Sequence, residues 1–322
     1  MIMKKPWVMA MGCGVAATLL FLSGMFVLIT PLPLLYAGGK YGVRPFGLAL
    51  LASLTLLTVL TLSSFVIWPG MDNASTLALS KIRYAGFGYF TYYLWISAVL
   101  VWGLKKKRPI LIWGGHLLGT TTLLVLAVGA LVSFVSEISI LGVVRDYLGV
   151  LVQEVVKVRG QMEGSLLEAD LMLQQSGDFI QFMIQTGPAW IFVLTTVVVV
   201  VNLWLGKSLL KLRSLRERQG EFLKFKLPFG LVWWGIAAGV AFFIDRYIVP
   251  LHAMQVVAVN SLIVLSVLYL IQGLSVLNFL ARRVSLWFRW MIYLSLFLFL
   301  QFGIVVLACL GFIDSWTNFR KV

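Results

Sequence analysis

Residues 191–201 read IFVLTTVVVVV, with no alternation between polar and apolar positions. A transmembrane β-strand alternates lipid-facing and lumen-facing residues, so its polarity repeats every second position. This run keeps one character throughout. It lies inside a longer apolar stretch, residues 179–205, which exceeds the roughly 20 residues an α-helix needs to cross a bilayer. In hydrocarbon, backbone N–H and C=O groups are satisfied only within a helix or around a closed barrel. Without the barrel pattern, the helix remains.

Seven more runs of this kind flank it, at residues 7–30, 46–68, 85–103, 109–135, 229–249, 253–280 and 286–312. Together they predict an all-α polytopic transmembrane bundle, a single integral membrane domain over 1–322 with about eight membrane helices. Composition agrees. Of 322 residues, 61% are hydrophobic and 12% are charged, with mean hydropathy +0.97. A soluble domain carries about 25% charged residues. Prolines stand near run ends (Pro31, Pro33, Pro45, Pro109, Pro228, Pro250), where a missing N–H costs a helix nothing. Trp68, Tyr84, Trp113, Trp287, Trp290 and Trp316 form the expected interfacial aromatic belt.

The net charge of +14 is gathered in short loops between apolar runs. That placement points to anionic headgroups of the lipid bilayer as counter-charge, and no stacking aromatics accompany the basic loops as nucleic acid would require. The loop Lys105, Lys106, Lys107, Arg108 is expected on the cytoplasmic side. So are residues 207–226, with seven basic and two acidic side chains, and Arg282, Arg283 and Arg289. Eight crossings then put both termini outside, against the charges of Lys4, Lys5, Arg320 and Lys321. Either the first or last run is not a simple crossing, or those terminal charges are overruled.

Residues 137–178 interrupt the pattern with seven acidic and three basic residues, and are expected outside the membrane. Within them Leu141, Val144, Leu148, Leu151, Val155, Val158 and Met162 recur at spacings 3, 4, 3, 4, 3, 4, an apolar seam on a helix. Gly160 and Gly164 suggest a turn, and residues 166–173 a second helix. The segment reads as an extramembrane helical hairpin between the fourth and fifth membrane helices. A helix lying in the interface, a lid and a dimer contact are the alternatives.

Few side chains can do chemistry. Ionisable residues in a span are costly and therefore mark functional candidates. They are His116 in the fourth run, Asp245 and Arg246 near the end of the sixth, and His252 just beyond, with polar Asn260 and Gln272 in the seventh. Each also has a structural reading: a buried hydrogen-bonded histidine, snorkelling charges, or interhelical glue. Asp245, Arg246, His252 and Asn260 could converge near the outer half of the bundle, where a small ligand would meet them. Gly115 and Gly119, like Gly235 and Gly239, have the spacing that lets helices approach closely. Lys207, Lys211, Arg213, Arg216 and Arg218 form a basic, partly amphipathic segment suited to anionic lipid or to docking a partner. Cys13 and Cys309 lie in apolar runs without metal-ligand spacing, and two histidines make a metal site improbable. No nucleophile elbow, phosphate loop, zinc-protease motif or paired intramembrane aspartates occurs, so neither an enzyme nor a cofactor is expected.

Several motifs carry a resemblance. They are Pro31-Leu-Pro33-Leu-Leu-Tyr36 with Gly39-Lys-Tyr-Gly42, Leu227-Pro228, Gln272-Gly273-Leu274-Ser275 with Arg282-Arg283, and the ending Gly311-Phe-Ile-Asp314-Ser-Trp-Thr-Asn-Phe319-Arg320-Lys321. Together they resemble the YybS-like family of bacterial multi-pass membrane proteins, a domain of unknown function. That family is distantly similar to the substrate-capturing components of energy-coupling-factor transporters. The resemblance implies a bacterial plasma membrane location, a small-molecule binding role and another membrane subunit as partner. The chain departs from those components in its about eight runs and its outer segment. The leading expectation is a nonenzymatic, transporter-like binding component. The rival is a scaffold or assembly factor working through the outer hairpin and the 207–226 segment.

Overall fold

The computed structural model describes residues 6–67, 73–105, 110–136, 140–163, 166–208, 225–317 and 319–320. These residues are all-α, as the apolar runs require. The helices are α1 (Pro6–Leu22), α2 (Pro31–Tyr36), α3 (Val43–Ile67), α4 (Asn73–Lys105), α5 (Ile110–Ser136), α6 (Ile140–Glu163), α7 (Leu166–Gln185), α8 (Gly187–Ser208), α9 (Gly230–Tyr247), α10 (His252–Ala281), α11 (Leu286–Leu298) and α12 (Leu300–Thr317). Among the described residues five helical stretches are long and apolar enough to cross a membrane: in α3, α5, α8, α10 and α12.

Three apolar runs are not single helices. The first stops at Leu22, where Ser23 and Gly24 (φ +66°) turn the chain out of the helix. A short 3₁₀ turn and the proline-started α2 follow. The last run breaks at Phe299 (φ −110°, ψ 47°), and the bend is tight enough that a Cβ at Gly303 would lie 3.0 Å from the Leu296 side chain. The third broken run is the fifth, divided between α7 and α8. The conflict at the termini thus has a structural counterpart, because neither the first nor the last run is one uninterrupted helix.

The helices form two compact units, Met1–Thr121 with Leu194–Phe225, and Thr122–Val193 with Lys226–Val322. In the first, α1 lies on α3. A Cβ at Gly14 would run into the Ala49 carbonyl oxygen, so the side chain's absence sets the spacing. Thr18 Oγ1 lies 3.2 Å from the carbonyl oxygens of Gly14 and Ser53, and Ser53 Oγ lies 3.0 Å from that of Gly14. Such hydroxyl–carbonyl contacts hold helices together where burial of apolar surface cannot, since lipid is as apolar as the helix face. Leu34, Leu35, Phe90, Tyr93, Ile96, Leu100 and Val198 form a fully buried core. Asn202 of α8 donates to the Leu28 carbonyl at 2.8 Å, and Tyr92 of α4 pairs with Thr195 of α8 at 2.8 Å.

In the second unit α10 and α12 cross at two glycines. A Cβ at Gly273 would fall on the Leu307 carbonyl, and one at Gly311 on the Tyr269 carbonyl. Backbone touches backbone here, which only glycine permits. The spaced pairs do not play this part. Among the described residues nothing stands within 4 Å of a Cβ at Gly115, Gly119 or Gly239, and Gly235 meets only Leu265 at 3.7 Å. Close approach depends on the partner surface, and sequence spacing does not report that.

Candidate functional site

The expected polar cluster begins with a helix break. Pro188, the second residue of α8, has no N–H, and its ring excludes the carbonyl four residues earlier. The helical ladder therefore fails between Gln185 and Ala189. Asn260 of α10 fills the gap: the Ala189 N–H donates to Asn260 Oδ1 at 2.9 Å, and Asn260 Nδ2 donates to the Gln185 carbonyl at 2.8 Å. One carboxamide thus stands where an extra peptide group would stand. Its Nδ2 is also 2.8 Å from the Val256 carbonyl. Gln185 reaches the next candidate too, since its Nε2 lies 2.9 Å from His252 Nε2. With the Gln185 amide as donor, His252 accepts at Nε2 and keeps its proton on Nδ1.

Asp245 lies close in the chain. Its Oδ1 accepts the Leu251 N–H at 2.7 Å, which ties the end of α9 across Pro250 to the start of α10. Asp245 is buried, whereas Arg246 and His252 are exposed. The structure therefore brings His252 and Asn260 to Gln185 and sets Asp245 at the adjoining turn. Asn260 and Asp245 spend hydrogen bonds on backbone groups. Sequence reasoning passed over Gln185 and Pro188. A proline inside an apolar run, not at its end, was the available signal.

His116 belongs to the first unit. It is exposed on α5, beside a hollow lined also by Ala98, Val99, Trp102 and Thr120. Lys207 closes α8 in its last turn. Lys211, Arg213, Arg216 and Arg218 fall outside the described residues. Among the described residues no His, Cys, Asp and Glu side chains gather as a metal would need.

Three motifs of the resemblance, those at Leu227, Gln272–Ser275 and Asp314–Arg320, meet in a second polar cluster. Gln272 Oε1 accepts the Leu227 N–H at 2.9 Å, and its Nε2 donates to Asp314 Oδ2 at 3.0 Å. Asp314 also accepts the Phe319 N–H at 3.0 Å and Arg320 Nη2 at 2.5 Å. Arg320 Nη1 donates to Ser275 Oγ at 3.2 Å. Gln272, Ser275 and Asp314 are fully buried, and the Arg320 side chain is 10% exposed. A buried carboxylate is tolerable because the Gln272 amide, the Phe319 N–H and Arg320 Nη2 converge on it. In the first unit, Pro31 to Gly42 forms α2 and a π-turn. There Lys40 Nζ lies 2.5 Å from Tyr36 Oη and over both the Tyr36 and Tyr41 rings. That hydrogen bond lowers the Tyr36 phenol below its ordinary value of 10.0, while burial raises Tyr41.

The segment holds two helices, α6 and α7; of the glycines expected to form the turn, Gly160 lies within α6 and Gly164 falls outside the described residues. The second helix is longer than residues 166–173, because α7 continues to Gln185 and ends only at the proline break. Arg145 of α6 donates to Gln181 of α7 at 3.2 Å, and Val156 on the same face is buried. The apolar seam lies on a neighbouring face and is open: Leu141 is 64% exposed, Val155 65% and Val158 52%.

Residues 73–315 match DUF2232, a family of predicted membrane proteins, over about three quarters of the chain. The chain belongs to this family. The YybS-like resemblance falls within it. No curated protein and no solved structure matches the chain. The DUF2232 match takes in the hairpin, the Asn260 splint, Gln272 and Asp314, and it ends before Arg320.

Proposed function

We propose that this DUF2232 protein is a nonenzymatic component of the bacterial plasma membrane that assembles with protein through its α6–α7 hairpin. One observation carries this reading: α6 turns an apolar seam outward while a different face packs on α7. α6 also bears Arg145, Asp146, Glu154, Lys157, Arg159 and Glu163, too many charges for a lipid-spanning helix. An exposed apolar stripe rimmed by charge marks an interaction face. The basic 207–226 segment offers a second contact, to anionic lipid or to another membrane subunit.

The test replaces Leu141, Leu151 and Val155 by Ser together and compares assembly mass in mild detergent with the wild type. Loss of the larger assembly at unchanged thermal unfolding is the expected result. An unchanged assembly sinks the proposal. The small-molecule reading, transporter-like by resemblance, keeps one supporting observation: exposed His252 beside Gln185, with Arg246 also exposed. A vitamin or metabolite that raises the melting temperature of the wild type but not of His252→Ala would favour it.

A further inference from the structure

We infer that the α6 seam pairs with the α6 seam of a second copy of this chain, as a parallel, in-register coiled coil. This rests on the reading of the hairpin as an assembly surface, and it names the partner. The seam's spacing of 3 and 4 places Leu141, Leu148 and Val155 at one core position of a heptad, and Val144, Leu151 and Val158 at the other. The described members hold these places on one helix, Ile140–Glu163, without a break. Leu141, Val144, Leu151, Val155 and Val158 are exposed, so no described residue occupies the pairing surface.

The flanking positions decide between occupants. α6 carries Arg145, Lys157 and Arg159 against Asp146, Glu154 and Glu163, so it offers anionic lipid no net positive charge. A copy of the same helix, equally balanced, brings both signs of charge to the flanks of the seam. In a parallel pair, the residue preceding one core position faces the partner residue five places further on. Glu154 then faces Arg159 of the second copy, by sequence, and Tyr147 faces Val152. The antiparallel arrangement would set Arg145 and Arg159 on like-charged sides, so the charges select the parallel one. The face bearing Arg145 and Val156 stays on α7, and two hairpins joined this way make a four-helix bundle.

The test uses the full chain in native membranes, with Cys13→Ala and Cys309→Ala as background and one new cysteine at a time. Copper phenanthroline oxidation of Leu151→Cys is expected to give a disulfide-linked dimer, and Gln153→Cys, exposed on the far side of the helix, none. Glu154→Lys should abolish the Leu151→Cys dimer, and adding Arg159→Glu should restore it. The inference is overturned if Leu151→Cys gives no dimer, or if both cysteines react equally. It also fails if a bilayer-embedded quencher reaches a label at residue 151 without any dimer forming, which would make the seam a lipid contact. Assembly lost in the serine variant without self-crosslinking would reject a second copy while leaving the hairpin's assembly role standing.

Discussion

Asn260 shows how one side chain can complete a helix it does not belong to. Its carboxamide supplies an acceptor to Ala189 and a donor to Gln185, both freed by Pro188. Asn260→Ala orphans both groups, at about 1–3 kcal/mol each for buried, unsatisfied atoms. Thermal unfolding in detergent should show the loss. Pro188→Ala in the same background should recover most of it, because a straightened helix lets the Ala189 N–H return to the Gln185 carbonyl. If Pro188→Ala brings no recovery, the amide is not acting as a splint. Asn260 was visible in the sequence as a polar residue in an apolar run. Its partners were not, because they lie 71 and 75 positions away and are backbone atoms, which carry no sequence signature.

At the scale of elements, glycine placement separates contact from coincidence. Gly273→Ala or Gly311→Ala should destabilise the α10–α12 crossing by about 1–3 kcal/mol, the usual cost of overpacking, or more where the obstacle is a carbonyl. Gly119→Ala, with open space around it, should be neutral or gain up to about 1 kcal/mol in helix propensity. Unfolding by denaturant would check the contrast, and equal losses at all three would refute it. The apolar runs announced the helices well, since hydrocarbon solvation acts on each segment alone. They did not announce the breaks at Ser23, Thr186 and Phe299. Hydropathy averages over a window, and a turn inside an apolar stretch leaves that average unchanged. The hairpin's seam was legible as a periodicity. Which face of α6 would meet α7 was not, because Val152 and Val156 are as apolar as the seam itself.

On the scale of the molecule, the second unit is tied together by one buried carboxylate. Asp314 joins α12 to Gln272 of α10, to Leu227 through that glutamine, and to Arg320. Arg320→Ala leaves a buried negative charge without its partner, expected to cost about 3–5 kcal/mol. The double variant Asp314→Asn with Arg320→Gln should cost less than Arg320→Ala alone, since no uncompensated charge remains. A double-mutant cycle on unfolding free energy measures this, and strict additivity would contradict it. The three motifs of this cluster stood out in the sequence as separate words. That they form one network depends on the Gly273–Gly311 crossing, which sets their depth together.

The proline break has a consequence in time. A chain made from its first residue onward delivers Gln185 and Ala189 to the bilayer well before Asn260. Until α10 arrives, the donor and acceptor at the break have no partner except water or headgroups. The junction between α7 and α8 is therefore expected to keep to the wet edge of the membrane while the intervening 70 residues are synthesised. The Leu227 N–H waits likewise for Gln272, and Asp314 for Arg320. The Asn260 and Gln272 locks are each closed by a side chain made later than the backbone groups it holds, which predicts that docking of α10 follows insertion in sequence order.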